Sequence, residues 1–237
     1  MNNSSICVLV SGGLDSDVLL AESTARYRRV WPIYIRQGLA WEDAELYWLK
    51  RFLKKVVPGT TFGPGPNLKH RASLDQVQIS NLRVFSLPMN DVYGKHWSTG
   101  EISAPGRRSR DKAVYLPGRN LTLSVKAAVF CSMNRITDLA IGSLGHNPFP
   151  DASSSFFKTW GKALSKGLAH PIRISSPYRS LSKAQVIRRG RGLPLHLSFS
   201  CIAPKGLRHC GRCNKCAERR RAFKAAGVRD KTLYAKN

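Results

Sequence analysis

The stretch Ile6-Cys-Val-Leu-Val-Ser-Gly-Gly-Leu-Asp-Ser16 decides the fold. Its first half, Ile6–Val10, is a short apolar, β-branched run with no polar alternation. That pattern suits a strand buried on both faces, as in a parallel sheet. Two glycines end the run, and Asp17–Arg26 follows with Val18, Leu19, Glu22 and Ala25 at helical spacing. A glycine turn between a strand and a helix exposes backbone N–H groups next to the positive end of the helix. Such a turn is suited to binding an anion. Ser11 and Ser16 supply hydroxyl donors. Asp15 is a poor phosphate contact alone but suits a Mg²⁺ ion bridging phosphates. There is no Gly-Lys-Ser/Thr, so this is not a Walker loop.

Outward from this stretch, strand-like and helix-like segments alternate. Val30–Ile35 reads as a second strand, and Trp41–Val57 as a helix with Leu46, Leu49, Phe52, Leu53 and Val56 on one side, stopping at Pro58-Gly59. Leu82–Leu87 is a strand candidate, Leu121–Met133 a helix and Asp138–Ile141 a strand. Ser182 opens a further helix with capping-box spacing to Gln185, and Gly190 closes it. Strands separated by helices predict an α/β fold: a parallel sheet with helices on both faces and ligands beyond the carboxyl ends of the strands. Thr60–Arg71, rich in Pro and Gly, reads as a connection. The polar stretch Met89–Lys112 reads as an irregular insertion and an active-site flap. The expected organisation is one α/β domain over 1–195 and a C-terminal segment over 196–237.

The whole chain has 237 residues, enough to bury a real core without disulfides. Its apolar fraction of 42% excludes wholesale disorder. No apolar run approaches the ~20 residues of a membrane helix, and the opening Met-Asn-Asn-Ser-Ser has no basic region of a signal peptide. The expectation is a soluble cytoplasmic protein without a membrane partner. With 39 Lys+Arg against 14 Asp+Glu the formal net charge is +25, which attracts polyanions. The basic residues are scattered as Arg26/Arg28/Arg29, Arg107/Arg108/Arg110, Arg188/Arg189/Arg191 and Arg219–Arg221, so charge alone names no partner.

Four of the six cysteines crowd the C-terminal segment with the spacing C-x8-C-x2-C-x2-C: Cys201, Cys210, Cys213 and Cys216. Thiolates two residues apart turn toward one ion, and four complete a tetrahedral Zn²⁺ shell of structural type. An iron–sulfur cluster is the rival, although the usual C-x3-C-P continuation is missing. His209 sits beside Cys210 but is not needed as a ligand. Cys7 and Cys131 read as small buried hydrophobes. Gly118 precedes Arg119 and Asn120 at a helix start, where a guanidinium fork suits carboxylate or phosphate and an exposed capping turn is the alternative. Asp151 either accepts N–H donors from a ligand or caps the helix carrying Phe156, Phe157 and Trp160.

At Ser11-Gly-Gly-Leu-Asp-Ser16 the sequence resembles the PP-loop ATPases, which split ATP between its α and β phosphates and adenylate a substrate. The resemblance implies a Rossmann-like sheet of the adenine nucleotide alpha hydrolase type. It also implies an ATP loop over Val10, Ser11, Gly12, Gly13, Leu14, Asp15 and Ser16, with Mg²⁺ and a late-helix lysine matched by Lys183. Together with Ser200-Cys201 … Cys210-Gly-Arg-Cys-Asn-Lys-Cys216 and Arg219, the resemblance narrows to the 7-cyano-7-deazaguanine synthases. Leu116-Pro-Gly-Arg-Asn-Leu121, Ala140-Ile-Gly142, Phe149-Pro-Asp151 and Leu181-Ser-Lys-Ala extend it along nearly the whole length. It implies adenylation of a deazapurine carboxylate, attack by ammonia, and a second ATP-driven step to a nitrile. Asp15, Lys183 and Arg119 would be catalytic, Arg119, Asn120 and Asp151 would hold the substrate, and the protein would be a homodimer. The chain departs from the family at Arg36-Gln-Gly-Leu-Ala-Trp41, where Gly-Gln-Arg-His is usual, and in a shorter segment between Gly142 and Asp151. The same adenylating core could instead serve a tRNA or protein acceptor, which the basic surface would favour.

Overall fold

The computed structural model describes residues 5–56, 78–79, 81–145 and 147–236. The expected Thr60–Arg71 connection lies outside them. The described strands form one sheet in which every pairing is parallel. β1 (Ser5–Leu9) lies between β2 (Arg29–Arg36) and β5 (Asp138–Ile141); β6 (Arg173–Ser175) lies outside β5, and β3 (Gln78–Ile79) and β4 (Arg83–Ser86) both pair with β2. The chain order reverses between β1 and β5, the point where open α/β sheets bind their ligands.

The unbroken apolar run of β1 divides by side-chain alternation. Ile6, Val8 and Val10 face a cluster with α1 (Leu14–Thr24), α6 (Lys183–Arg189) and α7 (Asn214–Ala226) through Val18, Val186, Ile187 and Phe223. Cys7 and Leu9 face the opposite cluster with α4 (Arg119–Met133) and α5 (Ser154–Gly167) through Ala127, Ala128, Cys131, Phe157 and Leu164. Helices thus cover both faces, as the alternating pattern predicts, and Cys7 and Cys131 are fully buried core residues. Among the described residues no helix is long and apolar enough to cross a membrane.

Two boundaries differ from the periodic runs of the sequence in an informative way. α1 starts at Leu14, three residues before the expected Asp17, with Gly13 as its N-cap. The second half of the glycine loop is therefore the first turn of the helix, so its N–H groups are part of the positive helix end. α4 starts two residues before the periodic run from Leu121, at the Arg119 helix start read behind Gly118, which lies in the left-handed region at φ 70°. β6 is a three-residue edge strand, too short for apolar periodicity to mark it. α2 (Glu42–Val56) buries Leu49, Phe52 and Val56, and α6 carries the predicted capping box between Ser182 and Gln185.

The polar stretch around Met89–Lys112 contains the short helix α3 (Asn90–Tyr93) and is packed in place. Trp97 stacks on Trp41 with ring centroids 5.6 Å apart, and the Asn214 backbone N–H donates to the Pro105 carbonyl at 2.9 Å. The Asn214 side chain also donates to the Ser109 carbonyl at 2.7 Å, so this stretch is fastened to the turn that carries the C-terminal cysteines.

Candidate active site

The carboxyl ends of β1, β2 and β5 open into a cavity of about 280 Å³. Gly12, at φ 69°, makes the turn that closes its floor. A Cβ there would stand 3.1 Å from the Glu45 carbonyl and 3.2 Å from Leu49 Cβ, so both the backbone angle and the approach of α2 demand glycine. The Gly12 carbonyl accepts from the Phe199 N–H at 2.6 Å, which ties the loop to the chain entering the cysteine segment. Ser16 Oγ donates to the Gly13 carbonyl at 3.0 Å and accepts from the Ser11 N–H at 3.2 Å, and the two serine hydroxyls lie 3.3 Å apart. Val10, Ser11, Gly13, Asp15 and Ser16 all line the cavity; Gly12 and Leu14 shape the loop, with Leu14 buried in the core beneath it.

Charge is concentrated on one side of this floor. Lys183 Nζ lies 2.7 Å from Glu218 Oε1 and 3.6 Å from Asp15 Oδ2, while Lys215 Nζ lies 2.8 Å from Glu218 Oε2. Asp15 Oδ1 is buried and has no partner. Burial pushes the Asp15 carboxyl up, and Lys183 pulls it back. Lys183 is driven the other way: its burial is outweighed by Asp15 and Glu218, and its ammonium is held above the ordinary lysine range. An unsatisfied carboxylate oxygen beside the free N–H groups of a helix start fits a divalent cation. Neither Lys215 nor Glu218 is marked by the sequence as a partner of the loop. Their i,i+3 spacing gives their own pair, but only the docking of α7 brings it to Asp15.

The far wall is α4 and the turn before α5. Arg119 lines the cavity with its Nε buried and unpartnered, and its guanidinium carbon stands 5.8 Å from the centre of the Trp41 ring. Asp151 is buried, and its carboxylate accepts from the Asn120 backbone N–H at 2.9 Å and from Asn120 Nδ2 at 3.4 Å. It does not cap α5: Ser153 does, accepting from the Phe156 N–H at 3.1 Å. Asp151 instead satisfies an orphan donor of α4 and fixes Asn120 beside Arg119.

Between the two walls stands Glu45, which sequence reasoning passed over as a polar position of an amphipathic helix. It lines the cavity although only 7% exposed. Its Oε2 accepts from Tyr34 Oη at 2.9 Å and its Oε1 from Trp41 Nε1 at 3.1 Å. The departure at 36–41 has a local role here: Glu42 accepts from the Gln37 and Gly38 N–H groups and closes the turn into α2, which places Trp41 against Glu45.

Below the floor, the Sγ atoms of Cys201, Cys210, Cys213 and Cys216 all lie within 4.8 Å of one another, with Cys201–Cys213 at 3.9 Å and Cys210–Cys216 at 4.0 Å. Four sulfurs around one ion at ~2.3 Å stand about 3.8 Å apart, so the donor set fits a tetrahedral metal. Backbone N–H groups of Cys210, Cys213 and Cys216 point at these sulfurs at 3.2–3.4 Å, which favours thiolates. His209 stands outside the set: its Nε2 accepts from the Ser200 N–H at 3.1 Å. Cys213 is also the N-cap of α7, the helix that carries Lys215 and Glu218. Arg219, fully buried on the next turn, donates to Ser198, Ser200, Thr232 and the Leu195 carbonyl, and so locks this segment under the phosphate loop.

Comparison with known proteins places the chain in a family. The family model described as "Queuosine biosynthesis protein QueC" matches residues 5–227. A 7-cyano-7-deazaguanine synthase of Leptospira interrogans is 29% identical over 241 residues, covering 97% of this chain and 90% of that protein. A protein of the same name from Anaeromyxobacter dehalogenans is 29% identical over 245 residues, covering 97% and 95%. Among solved structures, the U34-tRNA thiolase NcsA of Methanococcus maripaludis with its 4Fe-4S cluster aligns at a TM-score of 0.48 and 14% identity, covering 98% of this chain and 76% of that one. The match runs from the first strand through the last helix, taking in the glycine loop, the capped α6 and all four cysteines, and the chain belongs to the QueC family.

Proposed function

We propose that the protein is an ATP-dependent 7-cyano-7-deazaguanine synthase acting in the cytoplasm. The observation that carries this reading is one cavity lined by Ser11, Gly13, Asp15 and Lys215 on one side, with Lys183 paired to Asp15, and by Arg119 with its buried, unpartnered Nε on the other, in a chain of this family. A carboxylate is a poor electrophile, and making one of its oxygens part of a phosphate ester turns that oxygen into a leaving group. Ser11, Gly13, Ser16 and the first turn of α1 donate to the pyrophosphate that departs from ATP. Lys183 and Lys215 balance its charge, and Arg119 with Asn120 orients the carboxylate of 7-carboxy-7-deazaguanine toward the α-phosphate. Asp151 holds Asn120 and lines the same cavity, where its carboxylate would accept from the substrate's N–H edge. Asp15, with its unpartnered Oδ1, would hold Mg²⁺, which would supply neutralisation of phosphate charge. The four cysteines would hold Zn²⁺ in a structural role, and Cys213, which caps α7, fixes the start of that helix and with it Lys215. Ammonia converts the acyl adenylate to the amide, and a second ATP activates the amide oxygen for loss to the nitrile.

Incubation with ATP, Mg²⁺, ammonium and 7-carboxy-7-deazaguanine is expected to yield the nitrile by mass spectrometry, with AMP and pyrophosphate release dependent on the carboxylate. Metal-loaded, folded protein that releases neither would overturn this reading. The net charge of +25 favours a second reading, an adenylating enzyme with a tRNA or protein acceptor. Filter binding across a salt series separates the two: equal affinity with the same salt slope for any RNA marks the charge as incidental.

A further inference from the structure

We infer that Glu45 is the general base of the nitrogen chemistry, taking the protons that ammonia and then the amide nitrogen must lose. This rests on the synthase reading above and adds to it a residue that no motif marks. Glu45 sits on α2 between the phosphate loop and Arg119, and lines the cavity shared with Ser11, Gly13, Asp15, Arg119 and Asn120. Tyr34 and Trp41, each only 2% exposed, hold one carboxylate oxygen apiece. An ionised carboxylate oxygen accepts about two hydrogen bonds. Each oxygen of Glu45 therefore keeps acceptor capacity while its orientation is fixed.

The neighbouring cation does not consume this carboxylate. Arg119 is the opposite charge that acts on it, yet Glu45 accepts from Tyr34 and Trp41, and Arg119 Nε is left buried without a partner. An acid and a base that share a cavity without pairing leave room between them for a ligand that uses both, an anionic oxygen on the arginine and an N–H on the glutamate. The groups that face Glu45 are Tyr34 from β2, Glu42 from α2, Arg119 from α4 and Asp17 from α1. Burial outweighs Arg119 and the two hydrogen bonds and pushes the carboxyl up to about 7, where it takes and releases protons near neutrality.

The proton count needs such a group. When ammonia attacks the acyl adenylate, a C–N bond forms and the C–O bond to AMP breaks. The electron pair leaves with the phosphate, and the cationic nitrogen gives up one proton. When the amide oxygen is adenylated in turn, the nitrogen carries two protons that must both go. The first leaves to give the neutral imidate. The second leaves as the C–O bond breaks and the nitrogen pair completes the triple bond, with AMP departing. Glu45 accepts these protons one at a time and returns each to solvent. Adenylation itself removes no proton from nitrogen, and this difference is the handle for the test.

The test compares carboxylate-dependent ATP–pyrophosphate exchange, which reports adenylation, with ammonia-dependent amide and nitrile formation in the metal-loaded full chain. In Glu45→Gln the expected result is a fall of about 10²–10⁴-fold in amide and nitrile formation, loss of the acid limb of the pH–rate profile, and exchange reduced less than about threefold. Tyr34→Phe, which removes a hydrogen bond that favours the ionised carboxylate, is expected to move that acid limb to higher pH. Equal loss in exchange and in the ammonia steps, or an unchanged acid limb in both variants, would overturn the role of Glu45 and leave the synthase reading standing. Absence of exchange in the wild-type protein would overturn the synthase reading and this inference with it.

Discussion

The buried carboxyl of Glu45 makes a thermodynamic prediction that requires no assumption about catalysis. Its proton affinity rises from an ordinary value of 4.5 in the unfolded chain to about 7 in the fold, with burial as the main cause. The sign follows from which state ionises first. As pH rises above 4.5 the unfolded chain gains the ionisation of Glu45 while the folded protein does not. Stability is therefore lost progressively until pH passes about 7, above which the loss is constant. At about 1.4 kcal/mol per tenfold change in proton affinity, the penalty is about 0.8 kcal/mol at pH 5 and about 3 kcal/mol at pH 8. Glu45→Gln keeps the size of the side chain and cannot ionise, so it escapes the penalty. The stability of the variant minus that of the wild type is expected to grow by about 2.5 kcal/mol between pH 5 and pH 8, measured by urea unfolding at both pH values. Any fixed cost of rearranging the Tyr34 and Trp41 hydrogen bonds cancels in this difference. Asp15, also pushed up by burial, titrates in both proteins and cancels to first order. A difference that stays within about 0.5 kcal/mol across this range would refute the reasoning, because the carboxyl would then have kept its ordinary proton affinity.

Three further outcomes follow from the packing around the loop. Gly142→Ala would put a Cβ 3.0 Å from the Asp15 carbonyl carbon and the Ser16 nitrogen. Calorimetry should show weaker pyrophosphate binding together with a loss of about 1–3 kcal/mol in stability, whereas Gly192→Ala, where nothing lies within 4 Å, leaves binding unchanged. Lys215→Ala removes a cation from the cavity wall while leaving the sulfur cluster intact. Pyrophosphate affinity is expected to fall about ten- to hundredfold at unchanged metal content, and an unchanged affinity would remove Lys215 from the site. Chelation of the metal frees the turn that caps α7. It should cost more than about 4 kcal/mol in stability and lower pyrophosphate affinity with it, followed by thermal unfolding, metal analysis and titration.

The sequence by itself determined the parts of this protein that depend on contiguous residues. The strand–glycine–helix order around Ser11–Ser16 declares itself because side-chain period, glycine freedom and helix polarity act within a dozen residues. The capping box at Ser182–Gln185 is local in the same way, and so are the cysteine spacings that aim thiolates at one point. Tertiary structure decided how these pieces combine. Nothing in the spacing of 15, 183, 215 and 218 tells that two lysines and a glutamate collect at Asp15, because three elements must dock before their charges meet. Nor does the amphipathic pattern of α2 separate Glu45 from its solvated neighbours. The polarity of a helical position predicts exposure, and it fails where a polar group is buried against two donors at a cavity wall. The reason is that desolvation and Coulomb attraction act through space. The pattern along the chain decides which elements form, but their packing decides which charges lose water and which charges they face.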